Sequence, residues 1–136
     1  MRTKLFTLTV FLTLLIAPKF AFAQQNKAEI PNMVTTAFNE GDANKLADFI
    51  SGNIELTINN KNDIYSKKQA LGIISDFFKN NKVLSFKILH TSSVNAVSFV
   101  IGELQTDKGI FRVTINLKKT DKSAEILKLI IERSNV

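Results

Sequence analysis

The chain has 136 residues, 45% of them hydrophobic, with 18 Lys and Arg against 12 Asp and Glu for a formal net charge of +6. With no cysteine and one histidine, it excludes disulfide staples and the usual zinc sites, which need three or four ligands. Its lysines are scattered among acids rather than gathered into a stripe, so nothing marks it as a nucleic-acid binder.

The first element is an export signal. Arg2 and Lys4 precede an apolar run from Leu5 to Ala17, and Ala21-Phe22-Ala23 supplies the small-x-small pattern of a cleavage site. Pro18 and Lys19 interrupt the run short of the roughly 20 residues that a membrane helix needs, and no cysteine follows it to carry a lipid. Residues 1–23 therefore read as a cleaved signal peptide, which leaves no stable membrane anchor and sends residues 24–136 to the periplasm or the extracellular medium. Loss of Arg2, Lys4 and Lys19 lowers Lys plus Arg from 18 to 15, and the net charge to +3. The remaining 113 residues (136 less 23) are the size of one domain with one core.

Ile30, Met33, Val34, Ala37 and Phe38 recur at helical spacing, with Pro31 in the first turn and Gly41 as a left-handed cap. Asp42 can cap a second, shorter helix carrying Leu46, Phe49 and Ile50. Residues 53–58 alternate as a half-buried strand, residues 59–63 are turn chemistry, and Ile64-Tyr65 suggests a short return strand. Ser66-Lys67-Lys68-Gln69 is a capping box. The helix after it gathers Ala70, Leu71, Ile73, Ile74, Phe77 and Phe78 in one arc, with Asp76 opposite. From residue 83 the period becomes two. Leu84, Phe86, Ile88 and His90 share a face of the first long strand, and Val97, Phe99, Ile101 and Glu103 a face of the second. Phe111, Val113, Ile115 and Leu117 share one in the third, and Leu127, Leu129 and Ile131 in the fourth. Thr106–Gly109 and Thr120–Ser123 are the turn signals of an antiparallel meander.

This order predicts a single α+β domain: a cone-shaped roll of two or three N-terminal helices on a curved antiparallel sheet of four long strands, with a short strand or hairpin besides. The order resembles the nuclear transport factor 2-like superfamily, related in outline to cystatin-like folds. The pieces GDANKLADFI (41–50), YSKKQALGIISDFF (65–78), FVIGELQTDKGIFRVTINL (99–117) and LKLIIER (127–133) are similar to those of DUF4783, an uncharacterised family of small secreted bacterial proteins. The resemblance implies the fold and brings no activity. Enzymes of the superfamily place polar groups in an apolar cavity inside the cone, and none of their motifs maps onto this chain.

Strand parity makes His90 and Glu103 candidates for the cavity or its rim, and Tyr65, ahead of the capping box, a third. Phe38, Phe49, Ile74, Phe77, Phe78, Phe86 and Phe99 are the expected apolar wall. Arg112 has the opposite parity and belongs on the outer face, where it can meet a dimer partner or an anion. No catalytic set, metal site or cofactor motif emerges. The reading is a non-catalytic secreted module that binds a small apolar or amphipathic ligand in the cone or a protein partner, with a homodimer through the outer sheet face as one form. The alternatives are a small lyase, isomerase or hydrolase using His90, Glu103 or both, and a structural subunit whose cone is filled by its own side chains. Protein exported by its native host is expected to begin at Gln24 when its N-terminus is sequenced; a mature chain beginning at Met1 would contradict the signal.

Overall fold

A computed structural model describes residues 29–135; the signal and its cleavage site lie outside them. Helix α1 (Asn32–Glu40) follows Pro31 and buries Val34, Ala37 and Phe38, leaving Met33 exposed where helical spacing had placed it inward. It stops at Gly41, whose φ of 63° lies in the left-handed region that other residues rarely adopt. A 3-10 helix (Ala43–Phe49) begins where the Asp42 carboxylate accepts a hydrogen bond from the Asn44 amide at 3.0 Å. Helix α2 (Lys67–Asn80) opens with the expected box: Ser66 Oγ accepts from the Gln69 amide at 3.3 Å, and Gln69 Oε1 from the Ser66 amide at 3.1 Å. Asn81 closes it, its side-chain amide donating to the Phe77 carbonyl at 2.9 Å.

The strands are β1 (Asn53–Ile58), β2 (Lys61–Ser66), β3 (Val83–Val94), β4 (Val97–Thr106), β5 (Gly109–Lys119) and β6 (Ala124–Arg133), in one sheet of order β2-β1-β6-β5-β4-β3. The predicted meander is β3 to β6. The hairpin is longer than expected, because Asn59 and Asn60, at φ 51° and 64°, complete a tight two-residue turn and free residues 61–66 for a full strand. It joins the meander where β1 runs parallel to β6, the only parallel pairing among the described strands. The Glu55–Lys128 ion pair, at 2.9 Å, crosses that seam.

Helices cover one face of the sheet, and the register shows which residues meet them. Phe86, Val100, Leu104, Phe111, Val113, Ile115, Leu117, Ile126, Leu129 and Ile131 are buried there. Three register shifts break the simple alternation: two in β3, at Leu84 and Leu89, and one in β6 at Leu127. Each inserts an extra residue, and each inserted leucine is exposed. Leu84 and Leu127, expected inward with Phe86 and Leu129, are corrected on that ground.

Five phenylalanines bind the layers together. Phe86 of β3 lies against Phe38 of α1 (ring centroids 5.0 Å apart), Phe38 against Phe78 of α2 (5.9 Å), Phe78 against Phe77 (5.9 Å), and Phe77 against Phe111 of β5 (5.0 Å, rings near perpendicular). Such pairs add about 0.5–1.5 kcal/mol each beyond the apolar area they bury. Gly102 makes room for the Phe86 ring: a Cβ there would stand 2.4 Å from Phe86 Cε2. At the same end the Asn39 carboxamide oxygen accepts from the Phe86 amide at 3.1 Å, which ties α1 to an edge strand.

Gly102→Ala is expected to lower unfolding free energy by about 1–3 kcal/mol through overpacking against Phe86. Gly72→Ala, in α2 with open space around it, should raise it by about 0.5–1 kcal/mol; urea melts of both variants check the contrast. Lys128 and then Asn62, both hydrogen-bonded to Glu55, hold its carboxyl below the usual carboxylate range. A depressed folded-state value stabilises the fold above the unfolded value, and the contribution is lost as pH falls through the folded one. The melting-temperature gap between wild type and Glu55→Gln should therefore be present at neutral pH and close on acidification below about pH 4.

Candidate functional site

The three polar residues expected around a common cavity do not meet. Tyr65 lies on β2 and His90 on β3, the two opposite edges of the sheet. Five strand spacings separate those edges, about 24 Å along the sheet surface. The extra residue at Leu89 reverses the parity of β3, so His90 stands opposite Ile101, on the outer set. Glu103 is outward as well: the buried set on β4 is Val100, Gly102, Leu104 and Thr106, and Glu103 lies between Lys87 and Arg112 of the neighbouring strands. Its Oε1 accepts from the Gln105 side chain at 3.3 Å. Phe99 shares this parity, so it is half-buried on the outer face opposite Asn116 and is no part of an inner wall. Phe38, Phe49, Ile74, Phe77, Phe78 and Phe86 are buried in the core. Arg112 is on the outer face, as its parity predicts.

Open space lies instead at one end of the layer between α1 and the sheet. There the inner face changes character. Ser93 of β3 faces Ser98 of β4, their hydroxyls 3.3 Å apart, and Ser98 in turn faces Leu117 of β5. One row of the floor thus passes from hydroxyl to hydrocarbon. Ile30 and Pro31, leading into α1, form the opposite wall, and Lys119 and Lys122 stand on the rim with Asp121. This groove has a volume of about 590 Å³. A second groove of about 710 Å³ runs along the β3 edge between Ile88, His90 and Thr91 on one side and Asn32 and Thr35 of α1 on the other. The two share Glu29, Ile30 and Asn32, so they border one another beneath the start of α1. His90 is a lip residue of the second.

The lining offers groups for polar and apolar contact. Hydroxyls and backbone groups can hydrogen-bond a polar head, and Ile30 and Leu117 can cover an apolar body. The groove's titratable side chains among the described residues, Glu29, Lys119, Asp121 and Lys122, accompany a floor row of Ser93, Ser98 and Leu117. No group of three or more His, Asp or Glu side chains is placed to hold a metal ion among the described residues. The grooves were missed from sequence because the polar run Thr91-Ser92-Ser93 near the end of β3 looks like a fading strand. The usable signal was Ser98: a serine at an otherwise buried position of β4, marking where the core gives way to open space.

Comparison with known proteins agrees with this picture of fold without assigned chemistry. A family model described as "Domain of unknown function (DUF4783)" matches residues 31–132. A DUF4783 protein of Bacteroides ovatus, solved by crystallography, is 33% identical, with a TM-score of 0.75 over 79% of this chain and 98% of its own. An NTF2-like protein of unknown function from Silicibacter pomeroyi (12% identical, TM-score 0.56, 76% of this chain and 88% of its own) shares the fold. So does a domain of unknown function with a cystatin-like fold from Nostoc punctiforme (12% identical, TM-score 0.60, 77% and 73%). No curated protein matches. With three quarters of its length under one family model and the same α+β roll as the family's solved structures, the chain belongs to the DUF4783 family.

Proposed function

We propose that the domain is an exported, non-catalytic module that holds a small amphipathic molecule in the groove at the open end of the roll. One observation carries this reading: the floor row Ser93–Ser98–Leu117 sits under Ile30, so polar and apolar contacts line one half-open space. The aromatic chain supports it from the other side, because five rings occupy the deep part of the layer where a buried ligand would otherwise lie. Export rests on the N-terminal signal read from sequence. Tyr65 stands at the far edge of the sheet, and His90 and Glu103, diagonal neighbours on the outer face, make no hydrogen bond or ion pair with each other and open on no interior cavity, so the enzymatic reading built on the three inside the cone loses its motive.

The test is a melting series of the mature domain with dodecanoate and with dodecanol, one charged and one neutral amphipath. Ligand at about a hundred times its dissociation constant adds about 2.7 kcal/mol of stability, so a rise in melting temperature with at least one of the two is expected. Ser98→Leu, which fills the floor, should abolish the rise. Absence of any shift, together with a bare chain in native mass spectrometry of protein exported by its own host, would contradict the proposal.

A further inference from the structure

The two edges of the sheet are finished differently. On β2 the outward amides are taken by nearby side chains: the Ile64 amide donates to Asp63 Oδ1 at 2.8 Å and the Ser66 amide to Gln69 Oε1 at 3.1 Å. On β3 one outward amide is taken as well, that of Phe86 by Asn39 Oδ1. An antiparallel ladder uses alternate residues, so the backbone of Ile88 is directed to the same free edge as that of Phe86. The extra residue at Leu89 moves the count by one, and Thr91 and Ser93 follow. The Val94–Val97 pair, which closes the two-residue turn at Asn95-Ala96, gives the same assignment from the other end. Among the described residues, nothing meets the amides and carbonyls of Ile88, Thr91 and Ser93 across this edge.

The groove of about 710 Å³ runs directly beside this open stretch, with Ile30, Asn32 and Thr35 as its far wall. A row of unpaired amides and carbonyls at strand spacing is complemented by one kind of chemistry, the backbone of a second extended chain. We infer that the Ile88–Ser93 edge of β3 takes an extended segment of another polypeptide as a seventh strand. Thr91 and Ser93 each exchange a pair of backbone hydrogen bonds with it, and Ile88 a further pair where the segment follows the bulge.

Strand geometry also sets which side chains the segment carries. Residues paired with Thr91 and Ser93 share their face of the sheet, so their side chains enter the groove between Ile88 and Ile30. Apolar β-branched residues suit that position. The alternate side chains emerge with His90, Ser92 and Val94 on the outer side, where threonine suits. The partner is therefore an extended segment that alternates apolar and hydroxyl side chains. The Ser98–Leu117 floor takes no part, and the inference does not rest on the amphipath reading.

The probe is an acetylated, amidated hexapeptide of alternating threonine and valine, titrated into the isotope-labelled mature domain. The Thr91 and Ser93 amides are expected to exchange quickly in the free chain and to slow at least tenfold at saturation. N-methylation of the valine amides, which face β3 when valine enters the groove, should abolish binding. N-methylation of the threonine amides, which face solvent, should leave it. Thr91→Pro removes one outward amide without breaking a bond to β4, a change that edge strands tolerate. It should weaken binding about tenfold while circular dichroism shows an intact fold. Thr91 and Ser93 amides already protected in the free chain would overturn the inference, since the chain's own N-terminal residues or a second copy would then hold the edge. So would absence of binding, or equal effects of the two methylated peptides on the wild-type chain. No amphipath enters this titration, so it reads the edge independently of the melting series.

Discussion

Everything in this domain hangs on the contact between Phe38 and the rings on either side of it. Phe38 is the residue through which α1 reaches both Phe86 on the edge strand β3 and Phe78 on α2. Without cysteines, the protein has to hold two helices and a six-stranded sheet in one layer arrangement by packing alone. Aromatic rings serve this well, since each buries a large apolar area and constrains its neighbour's angle. Gly102 and Asn39 are the accommodations: one leaves space for the Phe86 ring, the other satisfies an edge amide that the sheet leaves without a strand partner.

The same packing decides where function can reside. A layer filled by five rings at one end has its open space at the other, where the inner rows end in Thr91, Ser93 and Ser98. Polar groups that would mark an interior reaction centre are spread to both edges and the outer face instead. Small side chains at the floor and the half-open shape suit reversible binding. On the opposite face, charged residues alternate between strands, Lys87, Glu103, Arg112 and Glu132 lying side by side across β3 to β6.

Much of the fold was legible in the residues because the deciding signals were local. The Ser66 capping box, the left-handed Gly41, the Asp42 cap and the turn at Gly109 each depend on a few neighbouring atoms, and each appears where its sequence places it. The β1–β6 parallel seam was not legible, since it joins residues more than seventy positions apart with no local mark. Parity arguments failed at His90 and Leu127 for a definite reason. A single inserted residue reverses every assignment beyond it, and nothing in the side-chain pattern of β3 or β6 announces the bulge. Glu103 and Phe99 failed differently: both faces of β4 carry apolar side chains, and only burial shows that the face with the smaller glycine is the inner one.

The central claim is that the interior is solid and the open end of the layer is the place of contact with a ligand. Its most direct test is an amide chemical-shift map of the isotope-labelled mature domain, titrated with dodecanoate. The account predicts progressive shifts confined to Ile30, Ser93, Ser98, Leu117 and their immediate neighbours. Saturable shifts centred on Phe38, Ala70, Phe77 and Phe86, with the open end unmoved, would mean that the ligand enters the aromatic layer and would contradict it.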